Sequence, residues 1–184
     1  MHNDRTYPLL IRLFGELGVA CLDSDMSFGV SDPVTGFEYS TRNLNGLFAD
    51  RRTLMRPGHY AFLLEILRFN RLARPLVNGG DELTLGEFLD RHRFGGAFVD
   101  RYLLPLASAI WSAAHETLRE FPARTLVRFF AQHGMITVLD HPVWRVVRGG
   151  SATYIAPLVA SPRVTVWTDS APAAVRRMAQ GVEI

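Results

Sequence analysis

Apolar residues recur along this chain at two spacings, and the switches between them mark out its elements. Between Leu9 and Leu17, the residues Leu9, Leu10, Leu13, Phe14 and Leu17 recur at helical spacing, which predicts a helix. Gly18 is placed to end that helix in a left-handed conformation. From Met26 to Thr41 the period changes to alternation. Phe28 and Val30, then Phe37 and Tyr39, flank the turn sequence Asp32-Pro33-Val34-Thr35-Gly36, which predicts a β-hairpin. The residues between, from Cys21 to Asp25, read as a short link, and Asn43 to Arg56 as a loop or short helix. Pro57 opens a further helix. Tyr60, Leu63, Leu64 and Leu67 line one face of it, with Phe62, Ile66 and Phe69 beside them, a stripe wide enough to predict burial on two sides.

Asn78-Gly79-Gly80-Asp81 breaks the pattern, and Thr84-Leu85-Gly86-Glu87 has the spacing of a capping box opening a short helix. After Gly95-Gly96, the residues Phe98, Tyr102 and Leu103 begin a central helix, which Pro105 is expected to kink or split. It continues through Ala107 to Ala114 around Ile110 and Trp111. Pro122 sits in the first turn of the next helix, whose apolar face is Leu126, Val127, Phe129 and Phe130. That helix ends at His133-Gly134, where a histidine suits the negative end of the helix dipole. Trp144 to Val147 predicts a strand, Gly149-Gly150 a tight turn, and Ser151 a cap on a helix from Ala152 to Val159. Val164 to Trp167 and Ala174 to Met178 predict two more strands, with Gln180-Gly181 as a turn. Val182-Glu183-Ile184 then begins a strand on which the sequence stops, so a piece of a longer protein is expected. Met1 to Arg5 is polar and expected to fray.

Composition narrows the class. With 184 residues and 48% hydrophobic content, the chain suits one packed domain, with room for a piece of a second. No apolar run reaches the roughly 20 residues that span a bilayer, and the first residues lack the pattern of a signal peptide. Cys21 is the single cysteine, which rules out an internal disulfide and a cysteine-built metal site. A cytoplasmic setting is expected. All 20 basic residues are arginine, and the formal charge is +2. Acids are interspersed among them, as in Asp90-Arg91-His92-Arg93, rather than absent from a basic stripe, which argues against a nucleic-acid partner.

No metal motif of the HExxH kind and no coupled acid–base pair is present, so no catalytic residue and no metal ligand is assigned. One arrangement does point outward. A strand, Trp144 to Val147, runs into Arg148-Gly149-Gly150-Ser151 and then a helix start, which can bring backbone amides close to an anionic or electron-rich group. The small residues around Ile110, Trp111 and Ser112 allow close approach of a helix or a flat ligand.

Several stretches resemble, in family order, the middle of flavin-containing amine oxidase-like proteins, in particular the bacterial group described as predicted NAD/FAD-binding proteins. These are Tyr7-Pro8 with Leu13-Phe14, Asp25-Met26-Ser27-Phe28, Tyr102 to Pro105 with Ala109-Ile110-Trp111-Ser112, Phe121-Pro122-Ala123, Phe129-Phe130 with His133-Gly134, and Trp144 through Ser151 with Tyr154. The resemblance implies an α+β fold in which a helical layer packs on a mixed or antiparallel sheet. It divides the chain into a substrate-binding domain, residues 1–162, and the first strands of a returning FAD-binding domain, residues 163–184. It further implies hydride transfer from an amine or an apolar, lipid-like substrate to FAD in the whole protein. Arg148, Gly149, Gly150 and Ser151 would approach the cofactor, and Met26, Phe28, Trp111, Ser112 and Trp144 would wall the substrate pocket. The chain departs from the family in having no GxGxxG, the turn that grips the cofactor pyrophosphate. FAD is therefore expected in the whole protein and not bound to this segment alone, with the remaining FAD-binding domain as its partner. The same absence leaves a second reading open, a non-enzymatic helical module binding an apolar ligand or a protein.

Overall fold

The computed structural model describes residues 1–79, 82–137 and 141–184. Gly80 and Asp81 of the expected break at 78–81 lie outside the described residues. The α+β class holds, with ten helices and three two-stranded antiparallel sheets among the described residues. The sheets are separate pairs, not one continuous layer.

Helix α1, Pro8–Glu16, ends as Gly18 required. The Val19 amide donates to the Phe14 carbonyl and the Gly18 amide to that of Gly15, with Gly18 at φ +65°. Cys21–Ser24, expected to be a link, forms strand β1. It does so because strand β4, Trp144–Val147, lies antiparallel to it, with Cys21 opposite Val147 and Ser24 opposite Trp144. The N-terminus is also not frayed. His2 exchanges both backbone hydrogen bonds with Arg145, and Asn3 accepts from the Thr6 amide at 2.7 Å, so both side chains are buried. Neither residue is apolar; backbone pairing holds them in place.

Strands β2, Gly29–Asp32, and β3, Phe37–Ser40, form the expected hairpin. Short helix α2, Leu44–Leu47, and a 3₁₀ turn, Arg51–Met55, lead to α3, Pro57–Ala73. Helix α3 is the spine of the molecule. Its Phe62 and Phe69 are buried, but Tyr60, Leu64 and Leu67 face outward, so the wide stripe is covered on one side rather than two.

Helix α4, Pro75–Asn78, and α5, Leu85–Arg91, follow. The capping box is complete: Thr84 Oγ1 accepts from the Glu87 amide, and the Glu87 carboxylate accepts from the Thr84 amide. Helix α6, Gly96–Phe98, a π turn, Val99–Leu103, and α7, Leu104–Trp111, run on without a gap. The π turn sets Pro105 into the first turn of α7, where its missing N–H is tolerated, so the proline does not split the run. Ser112, at φ +51°, closes α7 sooner than expected.

Helix α8, His115–Arg119, leads to α9, Ala123–Gln132, whose end at Gly134 repeats the bonding seen after α1. The core lies among α3, α5, the π turn, α7 and α9, built from Phe62, Phe69, Phe88, Phe98, Leu103 and Phe130, with the β2–β3 hairpin seated on it through Tyr39.

After β4 comes α10, Ala152–Val159. Ser151 precedes it in a helical conformation and makes no side-chain cap bond, because its backbone has already joined the turn. Val164 to Trp167 is not a strand: the residues alternate, but they pair with no strand among the described residues, and they are exposed. Strands β5, Arg176–Met178, and β6, Gly181–Glu183, pair only with each other, and every residue from Pro162 to Ile184 is exposed.

Candidate functional site

The candidate site grows from the end of α9. Phe129 and His133 stand one turn apart on the same face, and their rings stack with centroids 3.9 Å apart. Trp111, at the end of α7, packs on Phe129 at 4.9 Å and on Phe121 at 5.3 Å. On the other side Trp144 of β4 lies nearly parallel to His133, at 5.8 Å and 8°. Trp111, Phe129, His133 and Trp144 thus form one row of rings joining two helices to a strand.

His133 is fixed on both sides. Nδ1 lies 2.8 Å from the Phe129 carbonyl and Nε2 lies 3.1 Å from the Tyr7 hydroxyl. A carbonyl only accepts, so Nδ1 carries the proton, and the Tyr7 hydroxyl donates to Nε2. This histidine is a satisfied structural group, as its helix-end position suggested.

Trp144 leads along β4 to the glycine pair. Arg148 continues the ladder, its amide donating to the Ala20 carbonyl at 2.9 Å. Gly149 and Gly150 then take φ of +78° and +84°, which only glycine holds without strain in succession. A side chain at Gly149 would also press on the Thr153 methyl, whereas one at Gly150 would meet open space. The turn is exposed, as are Arg148 and Ser151, and it leads into the first turn of α10; the Gly150 amide donates to the Val147 carbonyl, the Thr153 amide to that of Gly150 and the Tyr154 amide to that of Ser151.

Of the five expected pocket residues, the row of rings joins Trp111 and Trp144. Ser112 is exposed at the end of α7, its amide donating to the Ser108 carbonyl at 2.8 Å. Phe28 packs against the hairpin side of the core, and Met26 is exposed; neither makes a ring contact with Trp111 or Trp144. Two open grooves lie elsewhere. One of about 510 Å³ is lined by Leu54, Met55, Pro57, Tyr60, Ala61 and Leu64. The other, about 490 Å³, lies among the C-terminal residues around Trp167 and Ile184.

The strongly shifted hydroxyls belong to the core: burial raises the Tyr39 phenol and pushes Tyr102 up to about 12, so both stay protonated. Two contributors were not picked out from the sequence as site residues. Phe129 and Tyr7 belong to stretches that resemble the family, but nothing in the sequence joins them to the tryptophans, since Tyr7 lies 126 positions from His133. No family model matches the chain, and no curated protein matches it significantly.

Proposed function

We propose that this chain is the substrate-binding part of an FAD-dependent oxidoreductase of the amine oxidase type, acting on an amine or an apolar, lipid-like substrate. The observation that carries the reading is the exposed Arg148-Gly149-Gly150-Ser151 turn, which begins four residues past a tryptophan that ends the ring row. A double positive-φ turn without side chains lets a flat, electron-rich group come close to backbone amides. The residues fit contact with a flavin from one side only, since the pyrophosphate-gripping turn is not in this chain. When bound, FAD would accept the hydride. This chain would orient the substrate along the aromatic row and keep water from it.

Purification of the whole gene product and a visible absorption spectrum test the reading. Flavin bands that weaken in Gly150→Val are expected, and their loss on mixing with candidate amines or lipids would identify the substrate. A folded whole product that holds no flavin, and takes none up when FAD is added, overturns it. That result would favour the non-enzymatic binding module, to which the outward apolar stripe of α3 also lends itself.

A further inference from the structure

The outward face of α3 and the turn before it carry a second surface, which the flavin reading does not use. Leu54 and Met55 end the 3₁₀ turn at 44% and 86% exposure, and Tyr60, Leu64 and Leu67 extend the apolar face along α3. At 3.6 residues per turn, positions 60, 64, 67, 71 and 74 fall within about a quarter turn of one another. The apolar stripe therefore runs on into Arg71 and Arg74, both exposed. Arg51 and Arg56 flank its other end; Arg51 donates to the Asn45 side chain. None of these four arginines has an ion-pair partner among the described residues. The two acids of this segment are already engaged, Asp50 by Arg52 at 2.9 Å and Glu65 by Arg68 at 3.6 Å.

We propose that this face docks on an anionic phospholipid surface. Met55, Leu54 and Leu64 would enter the boundary between headgroups and acyl chains, and the four arginines would meet lipid phosphates. The charge pattern selects this occupant. A second copy would bring arginine ends against arginine ends, because a two-fold contact places the same patch on both sides. A partner helix would need a slot for its anchoring side chains. Here the groove is open, and Met55 on its lining is almost wholly exposed. No helix of the described residues is long and apolar enough to cross a membrane, so contact is with the surface.

Co-sedimentation of the full chain with phosphatidylcholine vesicles, with and without about one third phosphatidylglycerol, tests this. Binding is expected only with the anionic lipid and should fall as salt is added. Arg71→Gln and Arg74→Gln should each lower partitioning about fivefold. Met55→Ser with Leu64→Ser should abolish binding while leaving the fold intact, since both side chains face solvent. Trp167→Ser, at the other exposed apolar region, should leave it unchanged. Three results overturn the proposal: no binding at any anionic fraction, binding that survives the Met55–Leu64 double variant, or loss caused by Trp167→Ser. So does a double variant that abolishes self-association or capture of an acidic peptide while vesicle binding is absent throughout.

Discussion

The Tyr39 hydroxyl donates to the backbone carbonyl of Arg101 at 3.1 Å. Arg101 lies four residues before Pro105, which has no N–H to offer that carbonyl. The hairpin thus supplies a donor where the helix lacks one, and the Arg101 guanidinium lies over the Phe37 ring of the same hairpin, 4.7 Å from its centroid. A proline in the helical run and a tyrosine in the β-hairpin are two halves of one contact.

Tyr39→Phe should therefore destabilise the chain by about 1–2 kcal/mol, because it removes the hydroxyl and leaves a carbonyl without this donor. Urea unfolding should show a lower midpoint with an unchanged slope. An unaffected midpoint would mean that water or another amide serves the carbonyl as well.

Arg93 occupies the left-handed position after α5, at φ +52°, where the Phe94 amide donates to the Leu89 carbonyl. Its side chain is exposed and glycine is the residue this position favours. Arg93→Gly should stabilise by about 1 kcal/mol, since the strain of a left-handed side chain outweighs the extra freedom of glycine in the unfolded chain. A thermal midpoint that drops would show the opposite balance.

Phe129→Ala removes the ring between Trp111 and His133. A loss of about 3 kcal/mol is expected, near the lower end for aromatic truncation because Phe129 is only half-buried. Tryptophan emission should shift to the red as water reaches Trp111 and Trp144. An unmoved spectrum would show that the two tryptophans keep their surroundings without the row.

Burial lowers the pKa of His2 below its ordinary 6.5, with the N-terminal ammonium and Arg145 adding to the effect. The folded chain thus keeps His2 neutral where the unfolded chain takes up a proton. Stability is unaffected by this residue well above pH 6.5 and falls as pH drops through that value. The unfolding midpoint should decline as pH drops through 6.5, and His2→Gln should flatten that decline. An equal decline in the variant would place the acid sensitivity elsewhere.

The features legible in the sequence are those set by neighbours along the chain. The Thr84–Glu87 box, the glycine ends of α1 and α9, and the β2–β3 hairpin all depend on residues within a few positions of one another. Cys21-Leu22-Asp23-Ser24 has no strand pattern and becomes β1 only because β4 offers it a ladder. Val164 to Trp167 is the converse: it has the pattern but, among the described residues, no strand that pairs with it. The two apolar flanks of α3 looked alike in sequence, and periodicity alone does not say which one a distant segment will cover. At the candidate site Trp111 and Trp144 were legible as aromatics, while the histidine that links them is oriented by Tyr7 from the far end of the chain.

That link has a bearing on how the chain assembles. Tyr7 meets His133 across 126 positions, and Thr6 reaches the Gln132 carbonyl across the same span. The helical core from α3 to α9 is made of nearer neighbours and can close first, since short loops cost less to form. During synthesis residues 1–24 would emerge before β4 and wait, with β1 unpaired, until β4 is made. The segment from Thr6 to β1 is thus a clasp fastened last, and the slow step of refolding should be the one that delivers Tyr7 to His133.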